Sequence, residues 1–307
     1  MSHLSFFWLK HSRDHQIKAL ESEFCNLVKQ SAQKNKLELP PIPDVLMKLH
    51  QLCNDDESTI HDVADLLLDD PALTATVIRT SNTVLFNRRN VVCNDLLTAV
   101  SRLGLLRVRD IATAQAVAEL RNVKTENLAC NQLLSQSSIR SRQFAGTMAL
   151  ICQSLIKHSE KPLKIEPEKA LLTGLLADIG VFSLIYEYLN YIENDNYLDI
   201  GIAKYIFKET CMKTSLIILK EWGFDNDYLE IASNKRQPYG NNNDTLSYLD
   251  IARMAHHLLL FKNNDDAIDE NDVELDLLGA EVMYELTNLP AHEFNQRVKN
   301  IVRESGF

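Results

Sequence analysis

Apolar side chains recur along most of this chain at the spacing of a helix face. In the stretch 58–69 one side carries the apolar residues Ile60, Val63, Ala64, Leu67 and Leu68. Charged side chains occupy the other side, a pattern typical of a half-buried α-helix. Only 9 of the 307 residues are glycine, less than half the ordinary usage of about 7%. Antiparallel sheets, dinucleotide-binding turns and phosphate loops all consume glycine, and no convincing run alternates with period two. The predicted fold class is therefore all-α.

Charge and cysteine usage exclude several functions. The chain has 32 basic and 42 acidic side chains, a net charge of −10, which argues against a generic binder of nucleic acid or of anionic membranes. The six cysteines form no CxxC pair, so we expect free thiols, no cofactor site and a cytoplasmic location. The apolar run at the N-terminus is too short for a secretory signal or a membrane span.

Proline, asparagine and glycine mark the predicted helix ends. Pro71 suits the first turn of a helix, Asn94 is predicted to cap the next one, and Gly104 is predicted to end it. The stretch Glu168–Tyr191 is predicted to form one mostly buried helix.

From Leu39 onward the chain resembles the HDOD family, the output domain related to HD-type metal phosphohydrolases. The resemblance covers about residues 39–236 and includes the structural motif residues Pro71, Asn82, Phe86 and Gly104. It is carried by LPPIPDVLMKL (39–49), DDPALTATVIRTSNTVLFN (69–87), LLTAVSRLGLLRVRDIA (96–112), EKALLTGLLADIG (168–180) and LIILKEWGFD (216–225).

The resemblance implies a helical bundle of two lobes. We expect an N-terminal lobe over 38–125 and a degenerate HD-like lobe with C-terminal helices over 126–307. Residues 1–37 form a helical extension that is expected to dock onto the body or onto a partner. Its apolar residues are Phe6, Phe7, Trp8, Ile17, Leu20, Phe24, Leu27 and Val28.

The resemblance also locates a metal centre that has been lost. HD enzymes hold a metal with imidazoles and carboxylates, around a His-Asp pair, and the metal activates a water that attacks phosphorus. The pair corresponds here to Ala177 and Asp178, so only the carboxylate remains. By weaker matching, the other ligand positions fall at Ser141, Cys211, Lys235-Arg236 and Arg253. We therefore expect no metal, as is common among HDOD relatives.

Two roles stay open for Asp178. It is expected to be a structural carboxylate bonded to a helix end or to an arginine. Alternatively, it lies with Ser141 in a remnant pocket, where Arg140, Arg142 and Arg253 bind an anionic or polar molecule or a partner.

Other groups that resemble metal-binding or phosphate-binding sites are interpreted as solvent-exposed polar residues. His61-Asp62 lies on the polar face of its helix, the acidic run 263–276 lacks the glycine of a calcium loop, and the His11/His15 pair has no evident second shell. The basic residues Arg88, Arg89, Arg102, Arg107 and Arg109 are interpreted as surface charge, with a phosphate-bearing ligand or acidic partner as the alternative.

These features together favour a non-catalytic bacterial signal-transduction module that works through protein contacts or ligand sensing. Because no receiver, GGDEF-like or EAL-like stretch is recognised, input and output are expected to come from other chains. The expected partners are proteins, with a nucleotide or other small molecule as a further ligand, and neither nucleic acid nor a membrane. The alternatives are a metal-dependent phosphohydrolase or phosphodiesterase with an unrecognised site, or a nucleotide-binding sensor.

Overall fold

The prediction of an all-α fold is confirmed. The computed structural model describes residues 3–10, 12–34, 43–87, 89–120, 127–236, 246–264 and 275–307. The described residues are 75% helical and contain no β-strand.

Fifteen α-helices follow a short 3-10 turn at Leu4–Phe6 within these described ranges. They are α1 (Arg13–Glu21), α2 (Glu23–Gln33), α3 (Asp44–Cys53), α4 (Ile60–Leu68), α5 (Pro71–Ser81), α6 (Leu96–Leu103), α7 (Leu105–Leu120), α8 (Leu128–His158), α9 (Pro167–Leu176), α10 (Gly180–Glu193), α11 (Ile200–Glu221), α12 (Asn226–Ser233), α13 (Tyr248–Lys262), α14 (Leu277–Asn288) and α15 (Ala291–Glu304).

Short polar side chains and prolines set the helix ends in the first half of the chain. Asp70 caps α5, its Oδ1 accepting from the backbone N–H groups of residues 72 and 73 at 3.0 Å, while Pro71 occupies the first turn. Asp95, not the predicted Asn94, caps α6 by accepting from the N–H of Thr98. Gly104 ends that helix with φ +78°, a backbone conformation that glycine adopts without strain.

The predicted single helix over 168–191 is wrong, because a turn at residues 177–179 divides it into α9 and α10. Gly180, which follows the turn, lies directly against α11, and its N–H donates to Ser215 Oγ at 2.9 Å. A Cβ at this position would lie 2.5 Å from the Ser215 backbone nitrogen. The close contact positions the turn, and with it Asp178, deep in the fold.

Three clusters of buried apolar side chains form the core. One lies entirely within α3 to α7 and the segment between them. A second is built mainly by α8 to α12, and a third joins α8, α9, α13, α14 and α15. The boundaries drawn at 37/38 and 125/126 lie outside the described residues, and the division into lobes stays a prediction.

The stretch Pro167–Glu193 is long and apolar enough to cross a membrane. However, 89% of its most apolar window is buried inside the fold. Such burial is typical of a core helix.

Arg109 is not a surface residue, so its interpretation as surface charge was wrong. It is 1% exposed and donates from Nε and Nη2 to Asp110 Oδ1, at 3.0 and 2.8 Å. Its Nη1 donates to the carbonyl of Gly223, and its guanidinium lies 4.4 Å from the Phe224 ring centroid. Tyr228 donates to the other oxygen of Asp110. This buried network ties α7 to the turn between α11 and α12.

Asn82 joins the end of α5 to the segment that leads into α6. Its amide donates to the carbonyls of Ile78 and Cys93, at 3.0 and 2.6 Å, and accepts from the N–H of Cys93 at 2.7 Å. Nearby Phe86 is buried. The three hydrogen bonds replace water for backbone groups that are withdrawn from solvent.

We expect Asn82→Ala to lower the free energy of unfolding by about 1–3 kcal/mol, the cost of leaving buried backbone groups unsatisfied. Chemical denaturation of the variant and of the parent chain measures the difference. Asn26→Ala, an exposed helical position on α2, is the matched control and should change stability by less than about 0.5 kcal/mol. An equal effect of both substitutions would contradict the role given to Asn82.

Candidate functional site

Asp178 is a buried carboxylate in the turn between α9 and α10. It is 3% exposed, and the Ser141 hydroxyl lies 2.6 Å from both of its oxygens. Ser137, one turn earlier on α8, donates to Oδ2 at 3.4 Å. The structure therefore joins Ser141 to Asp178, and Asp178 accepts from side-chain hydroxyls of a neighbouring helix.

An imidazole from the N-terminal segment lies beside Ala177. His3 is fully buried, and its Nε2 lies 2.9 Å from the carbonyl oxygen of Ala177. Because a carbonyl only accepts, Nε2 carries the proton. Nδ1 must then use its lone pair to accept from the N–H of Ser5, at 3.2 Å. Both ring nitrogens are engaged, so this histidine does not present a lone pair to a metal.

Burial of His3 lowers the pKa of its imidazole. The charge of Asp178 and the hydrogen bond to Ala177 oppose this shift, but desolvation is the larger effect. The neutral ring is therefore the form that fits the site. Sequence reasoning missed this residue because a lone histidine at position 3 carries no spacing signal toward residues 177 and 178.

The N-terminal segment is held over the turn at 177–179 by a second histidine and by aromatic anchors. His256 Nδ1 donates to the carbonyl of Leu4 at 2.6 Å, and Phe7 is 1% exposed. Of the extension's apolar residues, Phe6, Phe7, Phe24 and Val28 are buried, whereas Ile17, Leu20 and Leu27 are exposed. The extension thus docks onto the body through its first residues, through α1 against α11, and through one face of α2.

The arginines predicted to line a remnant pocket contact residues of α8 and of the end of α12. Arg140 donates to Gln143 on its own helix, and Arg142 is half-buried on α8. Arg253 donates to the side chain and carbonyl of Asn234, at 3.0 and 3.2 Å, at the end of α12. Arg140 thus bonds to a residue of its own helix, and Arg253 joins α13 to the end of α12.

The remaining positions matched to HD ligands also have structural contacts. Cys211 is buried, with Sγ 3.5 Å from Ser215 Oγ. Arg236 pairs with Asp250, next to the exposed Lys235. Neither of these two contacts involves the carboxylate of Asp178.

The donors around Asp178 do not fit a catalytic metal. They are one carboxylate, neutral hydroxyls and an imidazole whose nitrogens are already bonded, whereas such a metal needs several imidazole and carboxylate ligands. Within the described ranges, no group of three His, Cys, Asp or Glu residues could hold a metal ion.

Of the other motifs that resemble metal sites, the structure describes His61-Asp62 in full. His61 and Asp62 are exposed, and Asp62 forms a capping box with Thr59, whose hydrogen bonds lower the pKa of the Asp62 carboxyl. His11 and most of the acidic run 263–276, namely 265–274, lie outside the described residues.

A sequence model of the HDOD domain matches residues 39–238, nearly two thirds of the chain. The chain belongs to the HDOD family. A search of curated proteins found no match.

Solved structures similar to this HDOD protein include one, with a TM-score above 0.5, that shares its fold. One is a provisionally assigned metal-dependent phosphohydrolase from Shewanella amazonensis SB2B, with 21% identity, coverage of 92% of this chain and 97% of that one, and a TM-score of 0.64. An HDOD domain protein of unknown function from Geobacter sulfurreducens has 21% identity, coverage of 91% and 92%, and a TM-score of 0.44. A provisionally assigned signal transduction protein from Marinobacter aquaeolei VT8 has 19% identity, coverage of 92% and 63%, and a TM-score of 0.49.

Proposed function

We propose that this HDOD protein is a non-catalytic module of bacterial signal transduction, acting through protein contacts or ligand sensing. The observation that carries the proposal is the buried carboxylate of Asp178, which accepts from the Ser141 hydroxyl. By the family resemblance Ala177 corresponds to the position of an imidazole in HD enzymes, and His3 is bonded to that residue's carbonyl.

Metal-dependent phosphate hydrolysis requires an open coordination position on a bound ion, where water loses a proton and attacks phosphorus. Asp178 is 3% exposed. Two serine hydroxyls bond the carboxylate, and the N-terminal segment packs Leu4 and Phe7 into the core cluster of α8 and α13. These contacts orient the carboxylate, which supports a structural role for Asp178.

The proposed location is the cytoplasm. All six cysteines are free thiols, and a reducing compartment keeps thiols in this state. The expected interaction partners are proteins of the signalling pathway, with a small molecule as a second class of ligand.

Metal analysis tests the absence of a catalytic centre. We expect protein purified without chelator to contain far less than one iron, manganese or zinc ion per chain, and Asp178→Ala to leave that content unchanged. The exposed Asp65→Ala is the matched control for loss of one carboxylate. Circular dichroism establishes that each variant is folded.

Stoichiometric metal in the parent chain that is lost in Asp178→Ala, but kept in Asp65→Ala, would overturn the proposal. It would favour the phosphodiesterase alternative. Hydrolysis of a phosphodiester that follows the metal content would have the same meaning.

A further inference from the structure

A cavity of about 630 Å³ lies between the α6–α7 region and the start of α9. This volume falls within the range of small-molecule sites, about 300–1,000 Å³. Its wall brings together three arginines, Arg89, Arg102 and Arg107, although the whole chain carries a net charge of −10. The cavity is separate from Asp178, which does not line it.

Arg107 lines the cavity and is fixed there by an ion pair. Its Nη2 pairs with Glu166 Oε2 at 2.5 Å, which holds the guanidinium in place. Because Glu166 opposes the charge of Arg107, Arg89 and Arg102 supply the positive charge that an anion in the cavity would contact.

The other cavity residues complete a site for an oxyanion. Arg102 donates one of its five N–H groups to the carbonyl of Ser81, at 3.1 Å, which fixes its guanidinium. Arg89 is exposed, and Thr98 and Ser101, which carry hydroxyl groups, also line the cavity. Arginine binds phosphate oxygens in a bidentate geometry, and hydroxyls add further donors.

Two carboxylates in the lining restrict the kind of anion. Glu166 and Glu168 line the cavity, and carboxylates repel a bare polyanion but accept hydrogen bonds from hydroxyl and amino groups. A suitable ligand therefore carries phosphate at one end and hydrogen-bond donors at the other. Phosphate esters of nucleotide size have both.

We propose that this cavity binds a 5′-mononucleotide or a phosphate ester of the same size. The phosphate contacts Arg89 and Arg102, and the sugar or base donates to Glu166 and Glu168, with Arg107 orienting the Glu166 carboxylate. The inference rests on the ligand-sensing form of the proposed function and names its site. Since the cavity joins the α6–α7 region to α9, occupancy would change how these two parts contact each other.

Isothermal titration calorimetry of the full chain tests the site with the four 5′-mononucleotides AMP, GMP, CMP and UMP as probes. At least one is expected to bind, and Arg102→Gln and Arg89→Gln are each expected to weaken that binding about ten-fold, the loss of one charged hydrogen bond. Arg303→Gln removes the same charge from an exposed position on α15, 76% exposed, and should leave the affinity unchanged.

Two further probes separate the parts of the ligand. Inorganic phosphate and the matching nucleoside should each bind more weakly than the mononucleotide. Lack of binding by all four mononucleotides, equal affinity for nucleoside and nucleotide, or indifference to both arginine substitutions would overturn the inference. None of these outcomes bears on the metal analysis, so failure here leaves the non-catalytic assignment standing.

Discussion

Substitution of Asp110 by asparagine is expected to lower the free energy of unfolding by about 3–5 kcal/mol, because it leaves a buried arginine without its counter-charge. Arg109 is 1% exposed and Asp110 is 5% exposed. Asparagine keeps the shape of the side chain but presents one neutral oxygen. The guanidinium would retain only the Gly223 carbonyl and the face of Phe224 as favourable contacts.

The effect should be transmitted beyond α7 because the same carboxylate accepts from Tyr228. The hydroxyl of Tyr228 lies 2.5 Å from Asp110 Oδ2, on α12. Burial and the charge of Asp110 raise the pKa of Tyr228 well above its ordinary value, so the phenol remains a donor. Loss of the carboxylate weakens the contact between α7 and α12 as well as the ion pair.

Equilibrium denaturation in urea measures the loss, followed by both far-ultraviolet circular dichroism and tryptophan fluorescence. Asp65→Asn on the exposed face of α4 removes the same charge and should change stability by less than about 0.5 kcal/mol. The double variant Arg109→Met/Asp110→Leu should recover much of the loss, since apolar replacement removes both desolvated charges. A loss below about 1 kcal/mol for Asp110→Asn would contradict the assigned importance of the pair.

The position of Arg109 shows where sequence reasoning reached its limit. Its immediate neighbours include Arg107 and Asp110, and in a local window these read as a charged surface. The groups that bury it, Gly223 and Phe224, lie more than 100 residues away in sequence, its hydrogen bond to Gly223 spanning 114 positions. Local periodicity contains no information about such a partner.

Helix identity, by contrast, could be predicted because it depends on local signals. The apolar stripe and cap of the 58–69 stretch, and proline at the first turn of α5, act over one to three turns. The break at 177–179 could not, since it depends on the contact of Gly180 with Ser215 on α11. The same turn positions Asp178.

The candidate site, too, could be predicted only in part from the sequence. The resemblance placed Ala177, Asp178 and Ser141, and the structure brings the last two into contact. It did not indicate His3, because that residue lies outside the stretch that resembles the family. Phe6 and Phe7 are buried close to His3 in sequence, and His3 contacts the carbonyl of Ala177. The polar contact of His3 therefore depends on the packing of these two apolar side chains.

Acidification from pH 7 to pH 5 is expected to destabilise the fold by several kcal/mol, because buried histidines must take up protons. Burial lowers the pKa of His50 to about 4, and likewise that of His256 to about 4. An unfolded histidine titrates near 6.5, so between about pH 6.5 and pH 4 the unfolded chain binds protons that the folded chain does not. The stabilisation is complete above about pH 6.5 and is lost as the pH falls, by about 2 kcal/mol per histidine at pH 5.

The contacts of these rings explain why the neutral forms are kept. His50 Nδ1 donates to the carbonyl of Trp222 at 2.9 Å, its Nε2 lies 2.9 Å from Thr113 Oγ1, and the charge of Arg109 lowers the pKa further. For His256 the charge of Lys208 acts in the same direction. His3 adds a third buried imidazole with a lowered pKa.

Urea denaturation at pH 7, 6 and 5 measures the slope of stability against pH. The window lies above the range in which carboxyl groups with lowered pKa values, such as Asp62 and Asp95, lose their stabilising charge. Burial raises the pKa of Asp110, which opposes the histidine slope, so the change in slope on histidine substitution isolates the histidines. His50→Gln/His256→Gln should flatten the slope, whereas the exposed His292→Gln should leave it unchanged. Equal stability of the parent chain at pH 7 and pH 5 would contradict the prediction. It would show that these imidazoles take up protons in the folded chain as readily as in the unfolded chain. The burial of His50 against Trp222 and of His256 against Leu4 would then be wrong.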